Sequence, residues 1–142
     1  MAKRILVPLD GREPEPSVSS LVGAIAREGG ATVRLLRVYP VPEHVVGPRG
    51  TISYVDQEMD RLTGEGVDEM RPLEEQLDDV AVETVVRFGE PVPEILLEAE
   101  AFDADLIAVT ANRRGHVARA LAPGVSDRLL ASSDVPVLLL RE

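Results

Sequence analysis

The chain has 142 residues, 15 basic against 25 acidic for a net charge of −10, and no cysteine. Its length suits one domain, its charge sets nucleic acid and anionic membrane aside as partners, and without thiols it has no disulfide, thiolate metal site or cysteine nucleophile. MAKRILVPLD turns acidic at once without a signal-peptide h-region, and no run approaches the roughly 18 apolar residues of a membrane span, so a soluble, cytoplasmic protein is expected.

In chain order, Ile5 to Leu9 is a short apolar run that reads as a strand, closed by the turn-forming pair Asp10-Gly11. Val18, Leu21, Val22 and Ile25 then fall at i, i+3, i+4 and i+7, which predicts a helix over Ser17 to Glu28 with Gly29-Gly30 as its stop. A second strand is expected at Thr32 to Tyr39, followed by a Pro- and Gly-rich loop from Pro40 to Gly50. Val55, Met59, Leu62, Gly66, Met70, Leu73 and Leu77 keep one helical phase despite Gly64, Gly66 and Pro72, and predict one long, kinked helix.

The remaining elements are a strand at Val80 to Val86, a helix at Pro91 to Ala101, a strand at Asp105 to Thr110, a helix near Val125 to Ala131 and a last strand at Val135 to Leu140. Strands alternating with helices, in a chain whose apolar residues are mostly Val, Leu, Ile and Ala, predict an α/β fold with a parallel five-stranded sheet covered on both faces. No linker divides it, so residues 1–142 read as one domain.

Charge is uneven. Asp56 to Asp79 holds ten acids against Arg61 and Arg71, which reads as the solvated outer face of the long helix. Ala111 to Ser126 carries Arg113, Arg114 and Arg119 and no acid.

KRILVPLDG, ATVRLLRVYP, VETVVRFGEP, DLIAVT and GVSDRLLASSDVPVLLL, in that order and spacing, resemble the universal stress protein family over nearly the whole chain. The resemblance implies a single open, doubly wound sheet of order 3-2-1-4-5 with two helices on each face, Rossmann-like and of the adenine nucleotide alpha hydrolase type. Ligands of such sheets sit beyond the carboxyl ends of the strands where strand order reverses, here between the first and fourth strands. Asp10 and Thr110 would flank that crevice.

In family members that bind ATP, an Asp closing the first strand meets the adenosine end. A stretch of Gly, two residues, Gly, nine residues, Gly, then Ser or Thr wraps the phosphates. Asp10 matches the first requirement, though an Asp in a turn reads equally as a backbone cap. The loop positions fall on Thr110, Arg113, Pro123 and Gly124, and none matches. Glycines there permit positive φ and close approach to phosphate, which Thr, Arg and Pro do not readily supply, and Pro123 removes an N–H.

An altered anion site stands as the alternative, built from the amides of Gly124, Val125 and Ser126 at a helix N-terminus and the guanidinium groups of Arg113 and Arg114. The same arginines otherwise read as solvent-facing or paired with the acidic helix. His116 lacks metal-ligand spacing and reads as a surface residue, and His44 has no assignable role. Ser17 reads as a helix cap, and no G-x-S-x-G turn is present. Nor does the chain resemble an ATP pyrophosphatase or a receiver domain. LDGREPEPS lacks a Ser-Gly-Gly loop, and Lys3 is the chain's single lysine.

The expectation is therefore a non-enzymatic stress-response or regulatory module with a degenerate ATP-binding loop and no tightly held cofactor. A nucleotide or phosphorylated-metabolite binder, with ATP among its possible ligands, is the alternative. DVPVLLL would form a sheet edge that needs cover. Family members often dimerise through this strand, so a homodimer through Val135, Val137 and Leu139 or their alternates is expected.

Overall fold

The aliphatic runs form the strands and the 3.6-residue patterns form the helices. The computed structural model describes residues 3–11, 14, 16–43, 52–111 and 124–141. Its elements are β1 (Arg4–Leu9), α1 (Pro16–Gly29), β2 (Thr32–Tyr39), α2 (Ile52–Gln76), β3 (Ala81–Phe88), α3 (Pro91–Phe102), β4 (Leu106–Ala111), α4 (Val125–Ser132) and β5 (Val137–Arg141). The four ladders between these strands are parallel, and the order is β3-β2-β1-β4-β5, as the resemblance implied.

Strand side chains alternate between faces, so the sheet separates two cores. On one face Ile5, Val7, Leu9, Val33 and Leu35 pack with Val18, Val22 and Ala26 of α1 and Met70 and Leu73 of α2. On the other, Leu6, Leu36, Ile107 and Val109 pack with Val92, Ile95 and Phe102 of α3 and Val125 and Leu129 of α4. Each face thus carries two helices, each burying one apolar stripe.

Two helix ends show how local chemistry sets the boundaries. At the end of α1, Gly30 takes φ +62°, the Gly30 N–H donates to Arg27 O, and the Ala31 N–H donates to Ala26 O. These are the two bonds of a Schellman stop, at the glycine pair the sequence marks. α3 begins with Pro91 and ends where Asp103 takes φ 56°, with the Ala104 N–H donating to Ala99 O.

α2 is a single helix with Pro72 inside it. Along its apolar phase Val55, Met59 and Leu62 are half-buried, while Gly66, Met70, Leu73 and Leu77 are buried. Gly66 lies where α2 meets the sheet, and a Cβ there would stand 2.9 Å from Val86 Cγ2 and 3.1 Å from Tyr39 Cε2. The acids lie mostly on the exposed side. Arg61 pairs with Glu58 and Glu65, and Arg71 with Asp68, all on the same helix.

Two strand limits differ from the sequence expectation by two residues, and the others by at most one. β3 continues to Phe88, because Val86, Arg87 and Phe88 pair with Arg37, Val38 and Tyr39. β5 starts at Val137 instead of Val135. Pro136 has no N–H for a ladder, and Val135 is held in a turn in which its N–H donates to Ser133 Oγ. Val135 is therefore not a strand residue.

Candidate functional site

The strand order reverses between β1 and β4, and there the sheet opens. β1 pairs with β2 over six positions, Arg4–Thr32 to Leu9–Arg37. It pairs with β4 only at Ile5–Leu106 and Leu6–Ile107, although both strands run on. Pro8 has no N–H to give to a ladder, and the β1–β4 pairing stops before it. The switch point of the sheet thus falls between two strand ends, with Asp10 and Gly11 beyond that of β1 and Thr110 within that of β4.

Asp10 is half-buried and engaged within the chain. Gly11 follows at φ +97°, a conformation that strongly favours glycine. A Cβ on Gly11 would stand 2.9 Å from Glu69 Oε2 and 3.2 Å from Arg37 Nε, so the turn rests on a charged pair. Arg37 Nε donates to Glu69 Oε2 at 3.3 Å, its Nη1 donates to Val38 O at 2.9 Å, and its guanidinium lies 4.1 Å over the Tyr39 ring centroid. Tyr39 Oη donates to the same Glu69 oxygen at 3.2 Å. Burial pushes the Tyr39 phenol pKa up; the Arg37 charge pulls it down, and Glu69 reinforces the rise.

Sequence reasoning passed over Arg37, Glu69 and Tyr39. One signal was available: alternation along β2 puts Arg37 on the face of Val33 and Leu35, where a central parallel strand is otherwise apolar.

Thr110 is 1% exposed, and among the described residues its Oγ1 is the one buried side-chain polar atom without a hydrogen-bond partner. Leaving a buried hydroxyl unpaired costs about 1–3 kcal/mol. By alternation Thr110 shares the face of Ala108, toward α1 and α2, while α4 lies on the opposite face.

α4 leads into β5 as the return of a parallel crossover, which puts its N-terminus at the carboxyl edge of the sheet. Gly124, its N-cap, takes φ 82° and supplies no side-chain cap. Val125 is buried in the core, Ser126 is half-buried, and Asp127 adds an acid to the first turn. The first amides of a helix lack intrahelical partners, so the backbone here presents donors, but Asp127 already complements the helix dipole. Arg113, Arg114, His116 and Pro123 lie outside the described residues, as does His44.

At the β5 edge, Val137 and Leu139 are half-buried and pack toward α3 and α4, while Leu140 faces α1. A depression of about 380 Å³ runs beside the strand, lined by Ser17, Val18, Leu21, Leu139, Leu140 and Arg141. Among the described residues, no group of three or more His, Cys, Asp or Glu is placed to hold a metal ion, and no helix is long and apolar enough to cross a membrane.

Comparison with known proteins agrees with this architecture. The model of the universal stress protein family matches residues 1–141. A universal stress protein of Methanocaldococcus jannaschii, MJ0531, is 26% identical over 143 residues, covering 99% of this chain and 82% of that protein. In fold the chain is similar to the universal stress protein UspA from Lactobacillus plantarum, with a TM-score of 0.74, 19% identity, and coverage of 98% of this chain and 97% of that one. It is also similar to an Arabidopsis thaliana family protein solved with AMP bound, with a TM-score of 0.64, 15% identity, and coverage of 99% and 92%. The chain belongs to the universal stress protein family.

Proposed function

We propose that this chain acts as a non-catalytic, cytoplasmic stress-response or regulatory module whose altered loop does not hold ATP tightly. One observation supports the reading: neither described position of the phosphate-wrapping pattern carries the residue type that the pattern has. Thr110 is a buried residue inside β4 where the pattern has a glycine. Gly124 sits at φ 82° where the pattern has a hydroxyl residue. A triphosphate approaching α4 would also meet Asp127 in a protein of net charge −10. Titration with magnesium ATP tests this. No saturation up to millimolar nucleotide is expected, and submicromolar binding that is lost in Asp10→Ala would overturn it.

A second reading has its own support. α4 offers uncapped amides at the carboxyl edge of the sheet, and fold neighbours are solved with AMP, cAMP or dAMP. On this reading a smaller phosphorylated ligand sits between Asp10 and Gly124, with Arg113 and Arg114 as its cations. Saturable AMP or cAMP binding in a protein that ignores ATP would favour it.

The same proposal includes a homodimer through β5. Half-buried Val137 and Leu139 on an edge strand, with the adjacent depression at Leu21 and Leu140, are the apolar surface that a second copy would cover. Sedimentation of Val137→Lys beside the parent protein should show weaker association. Two dimers of equal strength would defeat the assignment.

A further inference from the structure

The far edge of the sheet combines an open strand with an apolar floor. β3 pairs with β2 along all eight of its residues and ends the strand order, so its other side offers main-chain groups with no ladder. Beside its start lies a depression of about 460 Å³, lined by Arg71, Glu74, Glu75, Leu77, Asp78, Val80 and Val82. Leu77 is buried, and Val80 and Val82 are half-buried, so the floor is aliphatic.

The charge around this floor is mostly acidic. Of the acids from Asp56 to Asp79, Glu58, Glu65, Asp68, Glu69 and Asp79 each pair with an arginine. Glu74, Glu75 and Asp78 have no ion pair among the described residues, and all three line the depression. Arg71, the cation in the lining, is already held by Asp68 at 2.9 Å. Carboxylates with no ion pair among the described residues thus stand beside a stretch of strand edge with an aliphatic floor.

We propose that the β3 edge and this depression dock an extended, basic segment of a partner protein. The segment adds a strand beside Val80–Thr84. Its arginine or lysine stems lie on Leu77, Val80 and Val82, and their heads reach Glu74, Glu75 and Asp78. Charge decides the occupant, because an acidic or neutral strand would leave those carboxylates unpaired, and a second copy of this chain carries a net charge of −10. The surface is remote from the β5 edge, so it stays open in a dimer formed there.

A capped peptide of alternating Arg and Thr, about eight residues long to match β3, serves as the probe for titration and amide chemical-shift mapping. Saturable binding is expected, with the largest shifts at Val80–Thr84. Glu75→Gln/Asp78→Asn should weaken it roughly tenfold, whereas Asp56→Asn/Asp60→Asn, which removes the same charge from exposed positions near the start of α2 that have no ion pair among the described residues, should change it less than about twofold. All four residues are exposed, so neither variant threatens the fold. Equal weakening by both pairs would mean diffuse attraction to an acidic helix and would overturn the proposal. So would shifts centred on β5, absence of saturation, or self-association that Glu75→Gln/Asp78→Asn abolishes without peptide.

Discussion

Arg34 and Arg37 leave β2 on opposite faces of the sheet, and each guanidinium lies 4.1 Å over an aromatic centroid, Phe102 for Arg34 and Tyr39 for Arg37. Beyond that they differ. Arg34 donates to Glu83 at 2.7 Å and to Glu98 at 2.6 Å, and Glu98, only 5% exposed, also accepts from Arg87 at 2.8 Å. Arg87 holds Glu94 as well, so the cluster clasps α3 to β2 and β3. Among the described residues Arg37 pairs with one carboxylate, Glu69 at 3.3 Å, and that pair lies directly under the Asp10–Gly11 turn. Two arginines on one strand thus separate a structural clasp from a pair placed at the crevice.

The clasp should be the costlier of the two to break. Glu98→Gln leaves Arg34 and Arg87 with one carboxylate each beside a buried neutral amide. Urea denaturation should show about 2–3 kcal/mol of lost stability, less than for a fully isolated buried pair because both arginines keep a partner. A loss below about 0.5 kcal/mol would break the distinction. Gly11→Ala should cost about 1–2 kcal/mol, from its positive φ and from crowding against Glu69. If the charged pair supports the turn, part of that cost should vanish in a Glu69→Ala background, with a coupling of roughly 0.5–1 kcal/mol.

Arg37→Ala should cost about 1 kcal/mol, less than Arg34→Ala in the same assay. The smallest effect is expected at Asp105, whose exposed carboxylate accepts the Lys3 N–H at 2.8 Å and the Arg4 N–H at 2.9 Å, bonds that hold its pKa below the usual carboxylate range. A folded pKa below the unfolded one gives stability that is present above the ordinary carboxylate value and lost as pH falls through the depressed one. Asp105→Asn should therefore lower stability slightly at neutral pH and flatten the acid limb of a stability profile, the variant and the parent converging below the depressed pKa.

Most of the fold was legible because its signals are local. The α1 stop follows from two adjacent glycines, and the apolar phase of α2 could be read through Gly66 because glycine at that position is a packing requirement, met against Val86 and Tyr39. Arg87 made β3 look finished at Val86, yet its guanidinium is taken by Glu94 and Glu98, residues of the following helix. In the crevice Asp10 was legible from its place after a strand. The Arg37–Glu69 pair was not, since its members are far apart in sequence and meet only because α2 crosses back over β2.

We propose that the universal stress protein fold here carries a crevice that does not retain ATP. The most direct measurement is to denature protein purified without added nucleotide and analyse the released small molecules by mass spectrometry. No adenine nucleotide near stoichiometric amount is predicted. Stoichiometric ATP, retained through purification and lost in Asp10→Ala, would contradict the account.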